Sequence, residues 1–282
     1  MNKFKGFFTL ISFFWLWSCG FCALFQWFVT GKAAWFGLLI SAWALPLWML
    51  LRFRNPQKFS GDQRETPAFA AVLSGLAVTL LTDVDRGLPL YLAIANLFVV
   101  LVYLFHLSAF RQPAMPPVDG VFPTLATGGG QDWNAADSAR REKAAGLLLV
   151  FLRGSFCADS RAQLSQLAAM EGELHRRRVQ PVLISTESAD HWRPLYTGEM
   201  VPEIVELCPA DKRNRPFVAA GGAPAWLWML GRLAGSGAGA VCRPSCWLLD
   251  DEAFVVWRHL PDNYRLPGSG EFIRGQLVRL EE

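Results

Sequence analysis

The chain has 282 residues, is 52% hydrophobic and 18% charged, and carries a formal net charge of +3. Soluble domains average about 45–50% apolar and about 25% charged residues, so these figures exclude a disordered or collagen-like chain and argue against a plain soluble one. Six Cys are too sparse for a disulfide-stapled scaffold, and the small net charge gives no sign of a nucleic-acid partner. The charge is unevenly divided: residues 1–106 hold eight Lys/Arg and four Asp/Glu, and residues 107–282 hold nineteen and twenty.

Four apolar runs occupy the first part, at Gly6–Thr30, Ala34–Leu51, Pro67–Leu81 and Leu88–Phe110. About 20 apolar residues are needed to cross the hydrocarbon core as a helix, and the third run is the weakest. The first run is too long and too aromatic for a signal h-region and reads as an uncleaved span. Trp15, Trp17, Trp27, Trp35, Trp43 and Trp48 crowd the first two runs and suit interface belts. Lys3, Lys5, Arg52, Arg54, Lys58, Arg64 and Arg111 fall on one side of a four-span arrangement. The positive-inside rule then predicts a multi-pass inner-membrane protein with both termini cytoplasmic; with three spans instead of four, the C-terminal half would lie outside. Cys19 and Cys22, three apart in the first span, share a helix face. They read as packing residues or as a membrane redox relay.

Residues 111–143 read as a linker, broken by Pro113, Pro116, Pro117 and Pro123 and loosened at Gly128–Gly130. Beyond it Gly146–Leu152 is a continuous apolar run, as in a buried strand. Ser160–Arg178 has helical spacing, Val179–Ser185 is a second strand, and Tyr196–Met229 is irregular. Ser245–Asp250 and Ala253–Arg258 form a strand pair about a tight turn, and Gly270–Leu280 closes the chain as a helix. The order is that of an α/β domain over residues 144–282, following a four-span helical region over 1–110.

Cys157 follows the first of these strands and opens the next helix. Unpaired amides and the helix dipole favour an anion there, which predicts a lowered thiol pKa. Arg153 and Arg161 add positive charge, whereas Asp159 opposes it. A thiol in that place is either an activated nucleophile or a small inert core residue. No His/Cys spacing suggests a metal: His106, His175, His191 and His259 are scattered. Gly235–Gly239 reads as a flexible loop, and His175–Arg178 as a solvated helix C-terminus.

Three segments carry a resemblance. LLLVFLRGSFCADSRAQLSQL, PVLISTES and RPSCWLLDDEAFVVWRHLPDNYRLP are similar, in that order, to segments of the peroxiredoxin-like redoxins, the alkyl-hydroperoxide-reductase/thiol-specific-antioxidant superfamily. The resemblance covers about residues 144–282; residues 1–110 resemble no family. It implies a thioredoxin fold and a reactive Cys157 that attacks a peroxide or a disulfide. It further implies that Pro244 is a cis-proline shaping the cleft and that Arg243 lies near the thiolate. Partners would be the lipid bilayer and a thiol reductant or partner thiol protein, with no cofactor. The family carries Thr or Ser three residues before the Cys and Pro seven before; here these are Gly154 and Val150. Ser160 stands where related redoxins have a second Cys, so the centre resembles that of monothiol glutaredoxins. Cys242 is a possible resolving thiol, Cys246 suits the core, and Cys208 has no assigned role. A catalytically degenerate thioredoxin-fold binding module is the alternative.

Overall fold

A computed structural model describes residues 2–55, 65–220 and 240–281. Lys58, Arg64, the Gly235–Gly239 loop and part of the irregular Tyr196–Met229 stretch lie outside these residues.

The apolar part forms four helices: α1 (Asn2–Thr30), α2 (Ala33–Arg54), α3 (Thr66–Thr82) and α4 (Leu88–Val102), the last continued by a π-turn at Tyr103–Leu107. Among the described residues, three stretches are long and apolar enough to cross a membrane, Phe7–Thr30, Ala33–Arg54 and Leu88–Leu107. The third of the expected four spans is shorter. At 17 residues and about 1.5 Å per residue, α3 falls a little below the roughly 30 Å hydrocarbon core. It packs closely on α2 because both present small residues. An ideal Cβ on Gly75 would lie 2.5 Å from the Ser41 amide nitrogen and 2.6 Å from the Gly37 carbonyl oxygen. This is the small-residue contact by which apolar helices associate where no hydrophobic drive separates helix from lipid. The outer faces remain apolar: Phe14, Phe28, Phe98 and Phe105 are all exposed.

Cys19 is buried between helices, where Asn96 donates to its sulfur at 3.5 Å, whereas Cys22 is exposed. The two thiols therefore do not meet on an inward face. At 100° per residue the two side chains stand about 60° apart around the helix, enough here to put one at a buried and the other at an exposed edge of the same face.

The second part is built on a five-stranded sheet of β3 (Gly146–Phe151), β4 (Val179–Ser185), β5 (Glu203–Glu206), β8 (Ser245–Asp250) and β9 (Val255–His259), in the order β5-β4-β3-β8-β9. β3 pairs parallel with β4 and antiparallel with β8. Helices α6 (Ala158–Ala169) and α7 (Glu171–Arg176) cross from β3 to β4. This is the thioredoxin-type arrangement that the resemblance implies. β3 is buried throughout, so its residues alternate between two apolar layers. Leu147, Leu149 and Phe151 join Phe122, Trp133, Phe217 and Trp247 on one face. Leu148 and Val150 join Leu164, Leu167 and Trp257 on the other.

The expected linker is largely folded. β1 (Leu125–Ala126), β2 (Asp132–Trp133) and α5 (Ala135–Glu142) lie within it, and Phe122, Leu125 and Trp133 belong to the sheet's core. Its prolines end regular structure but do not keep the large apolar side chains between them in water. β5 and β6 (Val218–Ala220) arise in the stretch read as irregular, and β6 pairs with β7 (Ala240–Cys242) beyond it. They are too short to show a period.

Candidate active site

The loop after β3 carries the site. Cys157 is the N-cap residue of α6. The Cys157 amide donates to the Gly154 carbonyl at 3.0 Å, and the Arg153 amide donates to the Ser160 hydroxyl at 3.1 Å. Ser160, buried beneath the loop, thus holds its shape. Gly154 has a steric reason: an ideal Cβ there would lie 2.3 Å from the Phe156 ring, so the family's Thr or Ser would displace it.

Around the sulfur, the amides of Asp159 and Ser160 and the Arg153 guanidinium supply hydrogen bonds. The thiol itself reaches the Asp159 carboxylate at 3.7 Å. Arg153 is stacked on the Tyr264 ring, 3.8 Å from its centroid, and so is held against the thiol. Burial raises the Cys157 pKa, and the Asp159 charge adds to this; Arg153 and the helix amides lower it but do not prevail. The expected lowering is therefore reversed. A dipole of half a charge at a helix start is outweighed when the sulfur is withdrawn from water. Burial also raises the pKa of Asp159, against the pull of Arg52.

Arg52, at the end of α2, reaches across to Asp159 and also pairs with Glu65 just ahead of α3; all three are buried. Trp48 donates to Glu65 at 2.5 Å, and Arg265 lies 3.6 Å from it. The tail Asp262–Arg265 completes the seam. The Phe110 amide donates to the Asp262 carbonyl at 2.7 Å, and Asn263 and Arg265 donate to the Leu104 carbonyl at 3.2 and 2.9 Å. The π-turn makes that carbonyl available, because the Ser108 amide bonds Tyr103 instead of Leu104.

A cavity of about 420 Å³ lies at this seam, and Cys157, Arg243, Pro244 and Cys242 all line it. The peptide bond before Pro244 is trans, since the described residues hold no cis peptide; the expected cis-proline is not present. Arg243 continues the β6–β7 ladder, its amide donating to the Phe217 carbonyl at 2.8 Å, and the chain passes extended into β8. The Arg243 guanidinium donates to the Arg111 carbonyl at 3.2 Å; the cation on the sulfur is Arg153. Cys242 is wholly buried, and burial pushes its pKa well above the ordinary thiol value. Cys246 lies in the α6-side core, its thiol pushed up to about 12 by burial. Among the described residues no cluster of His, Cys, Asp or Glu could hold a metal ion. Arg52, Glu65, Tyr103 and Arg265 were not singled out as a site from the sequence. Only the DNYR wording of the tail hinted at part of it.

No family model and no curated protein matches the chain. Among solved structures it is similar to reduced Prx3 of Vibrio vulnificus in complex with H2O2, at 15% identity, with 58% of this chain and 96% of that one covered and a TM-score of 0.42. It is similar to the peroxidoxin BcpB of Mycobacterium tuberculosis at 11% identity, with 60% and 97% covered and a TM-score of 0.40. The thiol peroxidase of Chromobacterium violaceum gives 16% identity, 61% and 91% coverage and a TM-score of 0.38. The strand order β5-β4-β3-β8-β9, with helices crossing from β3 to β4, is of thioredoxin type.

Proposed function

We propose that this chain is a membrane-anchored, thiol-dependent oxidoreductase of peroxiredoxin-like type, with Cys157 as its reactive thiol. The observation that carries this reading is the convergence on one sulfur of two helix amides, the Arg153 guanidinium and an accessible cavity. Attack of the thiolate on a peroxide forms an S–O bond and breaks the O–O bond. Sulfur is oxidised by two electrons to a sulfenic acid, and the leaving oxygen takes the thiol's proton. Arg153 is placed to hold the negative charge that develops on that oxygen. A thiol then condenses with the sulfenic acid, releasing water and leaving a disulfide, which a further thiol reduces. Ser160 cannot serve as that thiol, so Cys242 or a partner protein supplies it.

Burial of Cys157 and its raised pKa favour a second reading, an inert thioredoxin-fold module assembled on the helices. Sulfenic-acid trapping with dimedone separates the two, using the full chain in detergent micelles, dilute peroxide and a Cys157→Ser control. Peroxide-dependent labelling lost in the variant supports the enzyme. No labelling at any pH up to that of a free thiolate supports the inert module.

A further inference from the structure

Asp159 stands beside Cys157 in the wall of the thiol cavity, and its carboxylate is divided between two neighbours. Arg52, from the end of α2, holds Oδ1. Oδ2 is left to the sulfur, 3.7 Å away, where the Cys157 thiol donates to it. A carboxylate that accepts from a thiol at the edge of a cavity is in position to move that thiol's proton.

The reaction needs such a group. Sulfur is an effective nucleophile only without its proton, and a hydroxide or alkoxide leaving an O–O bond must gain one. Among the described residues no other group at the sulfur is placed to do both. Arg153 keeps its protons throughout. The Ser160 hydroxyl accepts from the Arg153 amide at 3.1 Å beneath the loop. Tyr264 is stacked on Arg153, and its hydroxyl donates to that of Tyr103 at 3.5 Å. No His lines the cavity, and Gly154 brings no hydroxyl where the family has Thr or Ser. Burial raises the Asp159 pKa, which makes it a stronger base than an exposed carboxylate. The cations Arg52, Arg153 and Arg265 favour its ionised form, and the Glu65 charge opposes it.

We infer that Asp159 is a catalytic residue, the general base that takes the Cys157 proton and the general acid that returns it to the leaving oxygen. The inference rests on the redox reading of Cys157 and adds the path of the proton. Oδ2 accepts the thiol proton as the sulfur attacks the terminal oxygen of the peroxide. The S–O bond forms, the O–O bond breaks, and its electron pair goes to the leaving oxygen. Asp159 then gives its proton to that oxygen, releasing water from hydrogen peroxide or an alcohol from an organic hydroperoxide. Sulfur has lost two electrons, the peroxide has gained them, and the carboxylate ends ionised against Arg52.

The test compares three reagents on the full chain in detergent micelles, for the wild type and Asp159→Asn. Hydrogen peroxide must protonate its leaving oxygen; peracetic acid and iodoacetamide release acetate and iodide, which need no proton. In Asp159→Asn the rate with hydrogen peroxide should fall at least about a hundredfold relative to the other two, the lower end of what a positioned acid–base group contributes. Alkylation should stay as fast or become faster, because the carboxylate charge beside the sulfur is gone; a merely structural role for Asp159 would slow it. A second measurement needs no variant: heavy water should slow the wild type more with hydrogen peroxide than with peracetic acid. Equal isotope effects for the two peroxides overturn the proposal and leave the redox reading standing. Unchanged reagent ratios in an Asp159→Asn protein that still alkylates at the wild-type rate do the same. Alkylation of Cys157 without sulfenic acid from hydrogen peroxide, in the wild type, removes the redox reading and the acid–base role with it.

Discussion

The two halves of the sheet domain's core and the interior of the helix bundle are held by apolar contact, whereas the seam between bundle and domain is held by charge. On the sheet, β3 alone places Leu147, Leu148, Leu149, Val150 and Phe151 in two layers with nothing polar between them. In the bundle, Leu16, Leu45, Val72 and Val100 form a comparable cluster. At the seam, Arg52, Glu65, Asp159 and Arg265 are buried together. Apolar layers are tolerant of small displacements, because their attraction has no direction. A buried charge network is not, because each ion removed from water must keep its partner. The seam therefore sets how the thiol-bearing helix sits against the bundle.

Substitutions on each side of this contrast test it. The largest effect is chemical: Cys157→Ser should abolish dimedone labelling while leaving the thermal transition of the full chain near that of the parent. Arg52→Met comes next. It leaves Glu65 and Asp159 without their shared cation and should cost about 3–5 kcal/mol, read as a lowered urea midpoint. An unchanged midpoint would mean that the seam does not depend on charge. Gly75→Leu tests the apolar side of the comparison. Its side chain would run into the α2 backbone at Ser41 and Gly37, and about 1–3 kcal/mol is the usual cost of such overpacking. Circular dichroism on heating should show the loss, with little change in Cys157 labelling.

A subtler effect concerns pH. The Asp159 carboxylate raises the Cys157 pKa, so Asp159→Asn should move the pH midpoint of Cys157 alkylation downward. The thiolate fraction, and with it the rate at neutral pH, should then rise. A midpoint that stays or climbs would show that Asp159 does not act on the sulfur by its charge. The smallest effect is expected from Cys19→Ala with Cys22→Ala. These thiols sit on differently exposed edges of α1, so Cys157 labelling should not change, and its loss would restore a relay across the bundle.

Legibility differed by element. Val179–Ser185 and Ser245–Asp250 coincide with β4 and β8, because a continuous apolar run bounded by turn residues is a local signal. Glu203–Glu206 became a strand only by pairing with β4, and Phe122 and Trp133 became core residues only by reaching the sheet. The position of Cys157 at the start of α6 was legible. Its environment was not, since Arg52 is 107 residues from its partner Asp159 in the chain and Tyr264 lies about as far away in the other direction.

Local patterning determines the order of the long apolar elements, the apolar character of the first part, and the placing of one thiol at a strand-to-helix turn. These follow from composition and period, which each segment carries alone. Only the tertiary structure decided which cation faces the sulfur, that Asp159 is tied to a helix of the bundle, that the bond before Pro244 is trans, and that the thiol pKa goes up. Burial and ion pairing depend on what the rest of the chain brings to the same place, and no local pattern encodes that.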